Sequence, residues 1–143
     1  MYDLEKIGII IKKIEMGFFE LRKFGLTKEN VSNTEKFYAS SMAIFGILNE
    51  AINLAEEIIK KNDFGMPRYQ AEYFDMLSRN GIISEKLAKE LKKLVRDRNI
   101  IAHYYAEIKE YNLLEIQKRS FFVEDFVKRI KEIVSKNAGG NIK

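Results

Sequence analysis

The sequence predicts an all-α protein, a four-helix bundle with one additional short helix between the second and third long helices. Three observations carry that expectation. Apolar residues recur in alternating steps of three and four, the period that lays one stripe along a helix. Turn formers are scarce: 8 glycines and 1 proline in 143 residues cannot supply the many short connections of a sandwich or barrel. Apolar residues make up 46% and charged residues 32%, enough for one core and one solvated surface, hence a single domain.

The first helix is carried by Leu4, Ile7, Ile11, Ile14, Phe18 and Leu21, and Gly25 suits its C-terminal stop. Ser32, with Glu35 three positions later, forms a capping box that opens a second helix ending near Lys61. That helix has two adjacent stripes, Ile44, Ile47, Ala51, Leu54 and Ile58 beside Phe45, Leu48, Ile52, Ala55 and Ile59, so it should lie at the centre. Pro67 fits the first turn of a short helix carrying Tyr69, Tyr73, Met76 and Leu77, which Asn80-Gly81 ends. Ser84 caps the third long helix, whose stripe Leu87, Leu91, Leu94 asks for apolar residues at 98, 101 and 105. One last helix carries Leu113, Ile116, Val123, Val127, Ile130 and Val134. The domain is expected to span 1–136, and 137–143, with Gly139-Gly140, to form a flexible tail.

Composition also excludes chemistry. The absence of cysteine removes disulfides, thiolate catalysis and cysteine-ligated metals. His103 is the only histidine, so a metal site would be nearly all carboxylate, and a hydrolase using two histidines cannot be built from one copy of the chain. No cofactor is expected. Met1-Tyr2-Asp3-Leu4-Glu5-Lys6 lacks the basic start of a signal peptide. Apolar runs such as Ile9-Ile10-Ile11 fall far short of the ~20 residues that span a bilayer, so a cytoplasmic protein without membrane contact is expected. Parallel-sheet alternation, a glycine-rich phosphate loop and a Gly-x-Ser-x-Gly elbow are all missing.

The third long helix breaks its own pattern. Register asks for apolar residues, and the chain supplies Arg98, Ile101 and Tyr105. An unpaired arginine in a core costs several kcal/mol, so Arg98 must meet a carboxylate, emerge at an edge, or face a groove used by a ligand. Asn99 and His103, four apart, share a face on which the amide can orient the imidazole. Arg98 and Tyr105, seven apart, also share one. Arg98 and His103 diverge by roughly 140° around the axis, so a second copy of the chain is one way to bring them together. Glu50, on the second helix, is a candidate partner for Arg98 or His103.

The stretch Arg98-Asn99-Ile100-Ile101-Ala102-His103-Tyr104-Tyr105 resembles the signature of HEPN-superfamily ribonucleases, specifically the HepT-like toxin branch. Tyr69-Gln70-Ala71-Glu72-Tyr73-Phe74-Asp75-Met76-Leu77, Gly81-Ile82-Ile83-Ser84 and Asn49-Glu50-Ala51 are similar to that branch as well. Arg96-Asp97 departs from it, standing where a hydrophobic or aromatic residue is common. The resemblance implies an all-helical homodimer whose two motifs line one cleft, metal-independent cleavage of RNA, and a type VII-like toxin–antitoxin pairing. Its antitoxin would be an MNT-type nucleotidyltransferase that modifies the motif tyrosine, here Tyr105, with adenylate groups.

The same residues suit the chemistry on their own terms. Metal-free RNA cleavage needs a base for the ribose 2′-OH, an acid for the leaving 5′-oxygen and a cation on the phosphorane. Histidine is the side-chain type that exchanges protons near neutrality, and Arg98 offers a fork of donors matched to phosphate. A symmetric dimer would place two copies of His103 in one cleft. Net charge is +4, and Lys86 to Arg98 alone carries a surplus of +4 that would attract a phosphate backbone. Two other readings use the same residues: a non-catalytic module that binds nucleotide or substrate for a nucleotidyltransferase, and a purely structural dimerisation bundle.

Overall fold

A computed structural model describes residues 2–104 and 107–142, with the backbone alone for Tyr104, Tyr111 and 137–142. Its elements are α1 (Leu4–Phe24), α2 (Thr34–Asn62), α3 (Glu72–Arg79), α4 (Glu85–Tyr104), α5 (Glu110–Ser120) and α6 (Phe122–Ile142). Helix is the only regular structure among the described residues. The bundle packs around α2, which contacts each of the other five helices.

Capping explains most of the boundaries. Asp3 accepts from the backbone N–H of Lys6 at 3.0 Å to open α1, and Gly25, at φ 58°, closes it by donating to the Leu21 carbonyl. The α1 stripe is as expected except at its start: Leu4 is exposed, and Ile10 is buried instead. Gly17 lets α1 and α2 close together, because a Cβ there would lie 2.6 Å from Ile47 Cγ1. The cap of α2 falls one residue later than expected, at Asn33, whose side chain takes the Lys36 N–H at 2.9 Å. Both expected stripes of α2 pack inward, with Phe45 alone only partly buried. Ser84 caps α4 as expected, accepting from the Leu87 N–H at 3.1 Å.

Two elements differ from expectation. The short helix does not include Pro67; it begins at Glu72, and residues 68–71 form turns that present Gln70. The last helix is two, α5 and α6, broken at Phe121. There the buried Ser120 hydroxyl turns back on the Gln117 carbonyl at 2.6 Å. Phe121 stacks on Phe18 at 5.5 Å, and the Arg22 guanidinium lies over both rings. The backbone of α6 is helical through Asn137–Ile142, the segment expected to be a tail.

The register of α4 is shifted at the residues that matter. Its buried residues run Ala88, Leu91, Leu94, Val95, Asp97 and Ile101, so the charged side chain in the core is Asp97, 2% exposed. Arg98 is half-buried at the edge, and Tyr105 lies outside the described residues. Asp97 accepts two hydrogen bonds from Arg119 of α5, at 2.8 and 3.2 Å. This bidentate contact holds the Arg119 guanidinium above its ordinary pKa and ties the end of α4 to α5.

Removing either partner should be costly, and unequally so. Arg119→Ala strands a sealed carboxylate and should lower unfolding free energy by about 3–5 kcal/mol. Asp97→Ala should cost less, because the Arg119 side chain, 24% exposed, can turn to water. Urea unfolding of the two variants checks the order; equal losses would contradict it.

Candidate functional site

Among the described residues Arg98 meets no carboxylate. Its guanidinium is held by three neutral carboxamides drawn from three parts of the chain. Its Nε donates to Asn99 Oδ1 at 2.9 Å, one Nη donates to Asn49 Oδ1 of α2 at 2.9 Å, and the other donates to Gln70 Oε1 in the turn before α3. Amide oxygens satisfy the desolvated N–H groups while leaving the positive charge uncancelled. A cation so held is half-exposed and pairs with no anion among the described residues.

The turn that brings Gln70 to Arg98 is itself fastened. Glu72, the first residue of α3, accepts from the Arg68 backbone N–H at 3.0 Å and from its guanidinium at 3.0 and 3.2 Å. Those bonds, the backbone one foremost, hold the Glu72 carboxyl below the usual carboxylate range. Lys92 of α4 reaches Asp75 of α3 at 3.0 Å and binds the short helix to the long one.

The other expected residues fall as follows. Asn99 does not orient His103; its oxygen is taken by Arg98, and no hydrogen bond joins the two side chains. His103 is exposed on the last turn of α4. Glu50 is half-buried on α2 and makes no hydrogen bond or ion pair among the described residues; the contact expected of it belongs to its neighbour Asn49. Tyr105 lies outside the described residues. Sequence reasoning missed Asn49 and Gln70 as partners of Arg98, although both stand in stretches quoted above for their resemblance to the HepT-like branch.

The charge surplus of α4 is partly spent. Lys92 and Lys93 are paired with Asp75 and Glu90, whereas Lys86, Lys89 and Arg96 are exposed and make no ion pair among the described residues. A groove of about 770 Å³ between α1 and α6, floored by Ile14, Phe18 and Val127, includes none of the candidate residues. Among the described residues no three His, Asp or Glu side chains gather as metal ligands, and no helix is long and apolar enough to cross a membrane.

The model of the family described as Ribonuclease HepT-like matches residues 14–133. A curated relative, the mRNA nuclease HepT of Shewanella oneidensis, is 35% identical over 57 residues, which are 40% of this chain and 43% of that one. The chain thus matches less than half the length of that relative. Among solved structures, a tri-AMPylated Shewanella oneidensis HEPN toxin in complex with its MNT antitoxin aligns with a TM-score of 0.81 at 23% identity, covering 92% of this chain and 99% of that one. A toxin–antitoxin structure with AMP-PNP aligns at 0.81 and 22% identity, over 88% and 97% of the two chains. A cytosolic protein of unknown function from Bacillus subtilis, YutE, aligns at 0.83 and 20% identity, over 97% and 96%. At these identities the likenesses establish the fold.

The Glu72 fastening has a pH signature. Its carboxyl is depressed in the folded state, so its contribution is present above the ordinary value of 4.5 and is lost as pH falls through the lower folded value. Glu72→Gln should therefore be less stable than wild type at pH 7 and converge with it in acid. Melting temperatures between pH 7 and pH 3 test this; a constant gap would count against it.

Proposed function

We propose that this chain, which belongs to the HepT-like ribonuclease family, is a metal-independent endoribonuclease toxin acting in the cytoplasm. Arg98 holds the scissile phosphate and His103 transfers protons in the attack of the ribose 2′-OH on phosphorus. The observation that carries this reading is the Arg98 cradle: a guanidinium fixed by three amide oxygens, with no carboxylate among the described residues to cancel its charge. Phosphate in RNA is the multi-oxygen anion that such a fork matches. The unpaired Lys86, Lys89 and Arg96 on the same helix would draw the polyanion in, making binding salt-dependent.

The arrangement also supports a homodimer. Arg98 leans toward α2 and the turn before α3, while the exposed His103 lies about 140° away around α4. One chain therefore offers a phosphate grip and an imidazole on different faces, and a two-fold partner would supply the complement, with base and acid drawn from two histidines. Asn99 steadies Arg98 in this scheme. The antitoxin would be an MNT-type nucleotidyltransferase that adenylylates Tyr105, as the AMPylated relative in complex with an MNT antitoxin suggests. The same cradle would also serve a non-catalytic module that presents nucleotide or substrate to that partner.

Cleavage of RNA by the purified protein in chelator separates the two. Wild type should cut, and His103→Ala and Arg98→Ala should each lose about 100-fold or more. Expression of wild type alone should arrest growth, and His103→Ala should relieve the arrest. Equal cleavage by all three proteins would overturn the catalytic assignment; RNA binding without cleavage or toxicity would leave the binding module as the function.

A further inference from the structure

Guanidinium groups carry five N–H donors and no acceptor. Every carboxamide touching Arg98 must therefore turn its oxygen toward the cation, as Asn49, Gln70 and Asn99 all do. The –NH2 group of each is bonded to the same carbon as that oxygen, and none of the three finds an acceptor among the described residues. Among the described residues three of the five Arg98 N–H groups are used, and two remain. Beside its three oxygens the cradle thus offers three –NH2 donors that are not engaged among the described residues.

We infer that Asn49 and Gln70 form, with Arg98 and Asn99, a composite site for a phosphodiester anion. Their oxygens position the arginine, and their –NH2 groups donate to the oxygens of the bound phosphate. This rests on the reading of the chain as an RNA-binding ribonuclease and adds two residues from outside the Arg98-to-Tyr105 motif. The neutrality of the two side chains is the functional property. A carboxylate at either place would hold Arg98 at least as firmly, but would cancel its charge and replace a donor with an acceptor that repels phosphate.

That claim sets an order that simple packing would not. Asn49→Asp and Gln70→Glu exchange one –NH2 for one oxygen and keep the shape, whereas Asn49→Ala and Gln70→Ala remove the contact and add no charge. Binding of a 2′-O-methyl RNA oligonucleotide, which cannot be cleaved through its 2′ oxygen, is read by fluorescence anisotropy across a salt series. Each alanine variant should bind about threefold to tenfold more weakly than wild type, and each acidic variant at least about tenfold more weakly than its alanine counterpart. The acidic variants should also lose about one unit of salt slope. Thermal melts should show them as stable as wild type, because a salt bridge to Arg98 replaces the amide contact.

Acidic variants that bind as well as the alanine ones, or with the wild-type salt slope, would overturn the composite site. Gln70 is exposed, so Gln70→Glu keeps the test open if the Asn49 variants do not fold. Wild type that binds no RNA would instead sink the ribonuclease reading. In that case the Arg98 side-chain ¹⁵N–¹H signals, titrated with inorganic phosphate, decide the anion site alone. A shift that Gln70→Glu abolishes supports it, and no shift overturns it.

Discussion

The pair formed by Asp97 and Arg119 decides what the neighbouring Arg98 can be. Consecutive residues on a helix point about 100° apart. Asp97 therefore enters the core, where Arg119 takes both its oxygens, and Arg98 leaves along the edge toward α2 and the turn before α3. With the carboxylate next to it in sequence committed to Arg119, Arg98 is left to the neutral amides. A single ion pair thus does two things: it allows a buried acid in the middle of the bundle, and it leaves the adjacent base free to seek an anion.

Much of the fold was legible in the sequence because burial in an amphipathic helix follows its period. The double stripe of α2 packs as the pattern asks, and Ser84 and Gly25 cap and stop their helices as their chemistry dictates. The misses have local causes. Ser32 and Asn33 are both good caps, and the side chain of Asn33 makes the bond. Pro67 suits a first helical turn, but the bonds from Arg68 to Glu72 hold the chain in turns until Glu72. Helical periodicity runs unbroken through Ser120, and the break beyond it answers to the stacking of Phe121 on Phe18, a contact no local pattern encodes.

The site was legible only in its sequence-local part. Arg98 stood out because its charge interrupts a stripe, and the stripe itself was misplaced by one residue. From Leu94 a step of four reaches Arg98 and a step of three reaches Asp97, and α4 buries the latter. Asn49 and Gln70 lie 49 and 28 positions from the arginine they hold. Neutral amides on an exposed turn or a partly buried helix face look like any other surface polar residue, so their role emerges only when the bundle brings them together. Glu50 was the more conspicuous residue on charge grounds, and the rotation of α2 gives the contact to the amide beside it.

A grip assembled from α2, the turn before α3 and α4 has no local precursor. No fragment of the chain shorter than the span from Asn49 to Asn99 contains all its parts, and the partners converge only once the helices have docked. The competence of the arginine is therefore a cooperative property of the native state, absent from nascent or partly melted chains. Damage anywhere that loosens the docking of these segments would take the grip apart before it unfolds the protein.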